Sequence, residues 1–454
     1  MSEHGNGVNG ISRRTVLSGA AVAAVGSLLA GCVGTSNKPS STTTSSGDKG
    51  DSQTVTVWSW FVKSTMDKAI KAYEKANPGV TINYSYYNYD PEYLTALKTA
   101  ARSGTLPDVI GLQPGSLTQQ YRSQLAPLQD LAAKSFGSDW EKQLAPVNLQ
   151  QMRLGNPEGD KNYYMVAHES QVLCVWYNRE AFAKLKLSVP TTFDELVAVS
   201  KKLRANSYLP MYQGAAGAWQ NENVFLILAN QLRRGITDDA QAGKVQWTAP
   251  ELVEAMTAWR RLFTDGVFQD GALGAQAYPT GAQLFGAGKV GMMTLGSWWL
   301  QQAQLDPPIP PLTQDLKGFD YFDFPAIHAG GKPGAVVGGI DVGYGLTKNG
   351  EKKAHAWKFL ASLVNGDAGK AALVDVNDLP AFNGVQLPGS VSPHVTELYD
   401  RLVKQLPDAV NQRFASPSVQ TALDNALAAV AAGQQQPKAA LAKVQAAQAK
   451  ALGG

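Results

Sequence analysis

From Thr54 the chain alternates. Val55 and Val57 are separated by Thr56, then Trp58, Ser59 and Trp60 follow, a β-branched period of two that predicts a strand over 54–60. Met66, Ala69, Ile70 and Tyr73 recur at helical spacing and predict a helix over 65–76, which Asn77-Pro78-Gly79 stops. A strand over 80–87, a helix over 91–102 and a strand over 109–112 follow. That order is the pattern of a mainly parallel sheet flanked by helices. It resumes with a strand over 172–177. Thr192-Phe193-Asp194-Glu195 is a capping box opening a helix to Ala205. Further on, the spacing predicts a helix over 251–264, a buried strand over 289–294, a Gly-interrupted strand over 336–346 and helices over 351–364 and 437–452. Asp306-Pro307-Pro308-Ile309-Pro310-Pro311 disfavours helix and reads as a rigid connector. No fixed-period repeat is visible.

The first fifty residues follow other rules. A polar stretch ends in Arg13-Arg14, an uncharged apolar run spans Ala20–Ala30, and the segment closes with Leu29-Ala30-Gly31-Cys32. The run is shorter than the ~20 apolar residues of a spanning helix. Residues 1–31 therefore read as a signal peptide. The paired arginines resemble a twin-arginine export signal, with a plain positive n-region of the general route as the other reading. Leu-Ala-Gly-Cys resembles a lipobox, which makes Cys32 the lipidated residue. Residues 32–52 are rich in Ser, Thr and Gly and read as a flexible tether. This predicts an exported protein, anchored by lipid to the outer face of the cytoplasmic membrane.

Composition narrows the classes. At 454 residues, two or three domains are expected. A net charge of +3 argues against a nucleic-acid partner, which usually meets a basic surplus. Two cysteines, Cys32 and Cys174, exclude a disulfide framework, and Cys174 in an apolar run reads as a buried, inert thiol. None of the five histidines shares a metal-type spacing with another His or Cys, so no metal and no cofactor is expected. There is no Gly-x-Ser-x-Gly elbow, no His-Glu-x-x-His and no phosphate loop. Gly286-Ala287-Gly288-Lys289-Val290-Gly291 fits Gly-x-Gly-x-x-Gly, but it precedes a strand instead of following one and reads as a turn. Asp90, Glu92, Asp108, Glu169, Glu222 and Asp341 cannot be paired from sequence into the facing carboxylates of a glycosidase. No catalytic residue is assigned.

Several segments, in order, resemble the extracellular solute-binding proteins of bacterial ABC importers, in the sugar-binding branch that includes maltose-binding protein. They are Thr54-Val55-Thr56-Val57-Trp58, Ala72-Tyr73-Glu74-Lys75-Ala76-Asn77-Pro78-Gly79-Val80 and Leu106-Pro107-Asp108-Val109-Ile110. Trp176-Tyr177-Asn178-Arg179-Glu180-Ala181-Phe182 with the helix after it, and Phe285–Met293 ending in Gly296-Ser297-Trp298, continue the match, and Gly338-Gly339 and the helix from Ala354 complete it. The resemblance implies an α/β fold of two periplasmic-binding-protein-like lobes, each a mainly parallel sheet flanked by helices, joined by hinge crossings. Lobe one would hold 53–165 and 320–365, and lobe two 166–319 and 366–454. It implies a monomer that captures a neutral carbohydrate, closes on it and delivers it to an ABC permease, with no catalysis. A same-fold receptor for a polyamine or glycerol phosphate, or a lipid-anchored glycosidase, are the alternatives.

Sugar binding calls for flat aromatic platforms with a few carboxylates or amides. Candidates are Trp58 and Trp60 near the end of the first strand, Gln113 after the third, and Glu169 at the first crossing with Gln171 as its rival. Trp219 in Trp219-Gln220-Asn221-Glu222-Asn223, Trp298, and Gly339 with Asp341 are the others, and Lys63 matches a family contact position. Trp299 is expected to face away, and Asn377 and Phe382 are lesser candidates. Tyr84, Tyr86, Tyr87, Tyr89 and Tyr93 would either extend a platform or pack on a strand face.

Overall fold

The computed structural model describes residues 53–303, 315–329 and 331–453. The signal segment, Cys32, the tether and the Asp306–Pro311 connector lie outside the described residues. Twelve strands can be followed among those described. They are β1 (Gln53–Ser59), β2 (Val80–Tyr86), β3 (Val109–Leu112), β4 (Val166–Ala167), β5 (Glu169–Asn178) and β6 (Leu209–Tyr212). After them come β7 (Val290–Gly296), β8 (Phe319–Phe322), β9 (Val337–Ile340), β10 (Gly343–Leu346), β11 (Leu379–Pro380) and β12 (Val410–Asn411). They form two sheets. One has the order β2-β1-β3-β10-β4 and the other β12-β9-β5-β7-β6, with β8 and β11 also paired to β5.

The two-lobed α/β architecture is as expected, but the sheets are mixed and not mainly parallel. β1 runs parallel to β2 and β3, whereas β10 is antiparallel to both β3 and β4. β5 is antiparallel to β7, β8, β9 and β11. The reason is connectivity. β5 and β10 enter their sheets directly from the other sheet, without the helical crossover that a parallel neighbour needs.

Each sheet carries its own core. Val55, Val57, Val109, Ile110 and Tyr344 of the first sheet pack with Phe359 and Leu363 of the helix Ala354–Asn365. β5 is buried on both faces. Val175 packs with Phe225, Trp259 and Leu427, while its neighbour Trp176 packs with Trp299, Phe319 and Tyr399. This explains why β5 reads as a continuous apolar run. Cys174 lies inside it, fully buried, and burial pushes its thiol well above its usual range.

The strand expected over 336–346 is two strands, one in each sheet, broken at Asp341-Val342 where the chain crosses. This moves the boundary implied by the resemblance. β8 and β9 belong to the second sheet, so 320–340 lies there, and the helix Asp367–Asp375 packs in the core of the first. The helix expected from Pro91 starts later, at Leu94, after a wide turn over Tyr89–Tyr93. The capping box is formed. Thr192 Oγ1 accepts from Glu195 N at 3.3 Å, and the Glu195 carboxylate accepts in return from Thr192 N. The segment Gly286–Gly291 is a helix end and a turn into β7. Among the described residues no helix is long and apolar enough to cross a membrane.

Candidate functional site

Three short segments join the two sheets: His168 between β4 and β5, Asp341-Val342 between β9 and β10, and Asn377-Asp378 leading into β11. They run side by side and bond to one another. His168 N and Glu169 N both donate to Val342 O at 3.0 Å, Asp341 N to Glu169 O at 3.1 Å, and Ala381 N to His168 O at 3.1 Å. His168 is sandwiched between Phe61 and Tyr344, and neither ring nitrogen has a partner. Desolvation pushes its pKa down to about 3, so the imidazole stays neutral.

Each segment bears one carboxyl group at or beside the crossing: Glu169, Asp341 and Asp378. Burial raises all three. After burial, the neighbouring Asp378 pushes Glu169 further up, and Glu169 Oε2 has no hydrogen-bond partner. Gln301 Nε2 donates to Asp378 at 2.6 Å. Asp341 is the best supported. It accepts from Gln113 Nε2 at 3.3 Å and from Arg413 Nη2 at 3.5 Å. Desolvation still outweighs the arginine and lifts its pKa to about 6. Arg413 also grips Ile340 O through Nε at 3.2 Å and Nη2 at 2.6 Å. Gln113 in turn accepts from Tyr89 Oη at 2.6 Å. One line of polar contacts thus runs from the first lobe (Tyr89, Gln113) through the crossing (Asp341) to the second lobe (Arg413).

A second carboxyl pair stands beside this line. Glu222 neighbours Asp424, and both its oxygens accept from Gln420 Nε2, at 2.9 and 3.1 Å. Burial first, and then Asp424, hold it well above the ordinary carboxylate range.

The aromatic wall comes from the second lobe. Trp298 follows β7, and its Nε1 donates to Tyr278 Oη at 2.9 Å. Trp219 stacks on Tyr278 at 6.3 Å and 27°, and meets Trp298 edge-on at 6.0 Å. All three rings keep open surface, Tyr278 as much as 40%. Gly296 makes this possible: a Cβ there would meet the Trp298 ring at 2.0 Å. Trp299 points the other way, into the core against Phe285 and Phe319. Trp219 and Glu222 both come from the first two turns of the helix Ala218–Leu232, one turn apart. Between them Gln220 and Asn221 face inward and bond Gly214 N and Ala215 O.

The other candidates are spread more widely. Trp60 packs on Tyr89 and Tyr93, and Trp58 on Tyr87, all at the end of the first sheet. Tyr84 and Tyr93 tie the strand ends together, so of the five tyrosines Tyr89 alone bonds Gln113. Two further candidates stand apart from these groups. Gly339 has φ +119°, but the space its Cβ would take is filled by the Gln151 carboxamide at 2.2 Å, so its freedom serves internal packing. Lys63 is exposed and held by Asp67 one turn on, at 2.7 Å. Phe382 is core, beside Phe136 and Trp140. Asn377 is buried with its Nδ2 on Leu300 O. Tyr278, Asp378, Arg413 and Gln301 were not singled out from sequence. Tyr278 carried a usable signal, as Tyr-Pro just ahead of the Trp298 strand, while the rest sit in stretches without motif.

Aromatic faces beside a row of amide, guanidinium and carboxyl groups suit a solute with apolar ring faces and a rim of hydroxyls. Among the described residues no group of three or more His, Cys, Asp or Glu is placed to hold a metal ion. A sequence profile of the bacterial extracellular solute-binding protein family matches residues 61–370. The multiple sugar-binding protein of Streptococcus mutans is 24% identical over 333 residues, 71% of this chain and 73% of that protein. A chitin oligosaccharide binding protein superposes with TM-score 0.74 at 23% identity, over 89% of this chain and 100% of that one. An ABC substrate-binding protein of Listeria monocytogenes, solved with cycloalternan, superposes with TM-score 0.68 at 22% identity, over 89% and 100% of the two chains.

Proposed function

This chain belongs to the bacterial extracellular solute-binding protein family, and on that premise we propose that it captures a neutral sugar or oligosaccharide between its lobes and hands it to an ABC permease. The observations that carry the ligand class are the open Trp219–Tyr278–Trp298 wall and the Gln113–Asp341–Arg413 line. The rings would take the C–H faces of the sugar, and the polar line its hydroxyls. That relatives and neighbours are named for sugars supports the same reading.

Capture is binding without chemistry. The buried carboxyls Glu169, Asp341 and Glu222 would accept or share protons with sugar hydroxyls. Lobe one comprises 53–167 and about 341–382, and lobe two the rest of the folded body. Closure turns about the three crossings, which are short and bonded to one another, so they move as one hinge. The export signal and lipidated Cys32 would place a monomer at the outer membrane face, where the tether lets it reach the permease.

The test is calorimetric titration with a panel of sugars, with polyamines and glycerol phosphates as controls. Saturable binding of one sugar series with no product formed supports the proposal. Binding confined to a control solute overturns the ligand class, and release of shorter sugars overturns the binding role.

A further inference from the structure

Away from the crossings the lobes also meet main chain to main chain. Ser116 opens the helix Ser116–Tyr121 of lobe one, so its N–H has no partner inside that helix. It donates instead to Phe414 O of lobe two at 2.6 Å. Two glycines of lobe one frame this bond. Gly115 has φ +73°, and a Cβ there would run into Phe414 O. Gly155 has φ +81°, and its Cβ would lie 2.6 Å from Ala415 O. Gln119 Nε2, on the same helix, donates to Leu154 O at 3.0 Å, so the two glycines belong to one surface.

The other side of the contact is fastened to lobe two. Gln241 Oε1 accepts from Ala415 N at 2.7 Å, and Gln241 Nε2 donates to Arg413 O at 3.0 Å. Gln448 of the helix Pro437–Gly453 donates to Gln241 O at 2.7 Å. Phe414 is buried, with its ring stacked on Trp247 at 6.5 Å and 26°. Residues 413–415 therefore move with lobe two and do not follow lobe one. Such a contact has no slack. A long side chain swings with a moving lobe and keeps its partner, whereas this bond is lost once the two main chains part by about 1 Å, since hydrogen bonds have gone by ~3.6 Å.

We propose that this contact is a clasp: it holds the lobes together in the ligand-free protein and lets go as a unit on opening, so that it sets the open–closed balance which a ligand then shifts. This rests on the hinge reading above and not on which solute is bound. Glycine at 115 and 155 serves the clasp by letting the two main chains approach, beyond permitting a positive φ.

The experiment reads the distance between lobes in the full chain without ligand. Spin labels go on Lys71→Cys and Lys201→Cys, exposed on the helices Lys63–Ala76 and Phe193–Ala205, in a Cys32→Ser background, with Cys174 buried out of reach. Gly155→Ala and Gly115→Ala press a methyl into the clasp. Gly159→Ala at φ +82° and Gly104→Ala at φ +69° carry matched backbone strain, but their methyls meet nothing within 4 Å. Unfolding curves confirm that each variant folds. The expected result is that both clasp variants at least double the population at long interlobe distance while both controls keep the parent's distribution. Clasp variants that match their controls, with two interlobe distances populated in each, overturn the clasp and leave the hinge standing. A single narrow distance shared by the parent and every variant overturns the clasp and the hinge together.

Discussion

At the residue scale, the site depends on side chains held in states water would not give them. Asp341 has a native pKa of about 6 against an ordinary 3.8. Between those values the native state keeps a proton that the unfolded chain has released. Stability therefore falls as pH rises through that window, by at most about 3 kcal/mol. Glu169, Asp378 and Glu222 are shifted in the same direction. His168 acts oppositely: below its ordinary 6.5 the unfolded imidazole takes a proton that the native one refuses until about pH 3, so it subtracts stability as pH falls. Urea unfolding of Asp341→Asn from pH 4 to 7 should show a flatter profile than the parent between 4 and 6. Superimposable profiles would mean that Asp341 is ionised throughout. Trp298 makes a simpler case. Its ring shares a wall with Trp219 and Tyr278, and Trp298→Ala should weaken sugar binding at least tenfold while leaving the fold, since the ring is only partly buried.

At the element scale, local signals were read well where one element sets them alone. The Thr192 capping box fixes the start of the helix Phe193–Ala205 and its geometry is complete, so Thr192→Ala should cost about 1 kcal/mol in denaturant unfolding. Gly296→Ala tests a different link. A methyl there collides with the Trp298 ring, so affinity for ligand should drop several-fold with a smaller loss of stability; unchanged affinity would show that ring placement does not matter. Strand position followed from alternation for β1, which buries one face, while β3 is a short apolar run buried throughout. The failures have a common cause. Alternation says nothing about which sheet a strand joins, so the 336–346 pattern looked continuous although Asp341 marks a change of lobe. Strand direction was equally illegible, because it depends on where the chain arrives from. Trp298, Gln113, Glu169 and Asp341 were singled out through motif order, and Trp219 from its polar-aromatic cluster. Tyr278, Asp378 and Arg413 join the same polar and aromatic groups only through tertiary contacts from distant segments, which leave no local trace.

At the scale of the whole molecule, two lobes meet at a hinge of three bonded crossings and touch again at Ser116–Phe414. Ligand between them would add contacts to both and favour the closed form. Small-angle scattering should then show a lower radius of gyration with ligand than without. Identical curves would mean either that the free protein is already closed or that capture needs no hinge. The central claim is sugar capture, and its most direct measurement is thermal unfolding of the protein across a saccharide panel, with polyamines and glycerol phosphates alongside. A ligand at a hundred times its dissociation constant adds about 2.7 kcal/mol to the native state. The account predicts such a stabilisation with one saccharide series, abolished or strongly reduced in Trp298→Ala. Stabilisation by a control solute alone, or by sugars equally well in the parent and in Trp298→Ala, would contradict it.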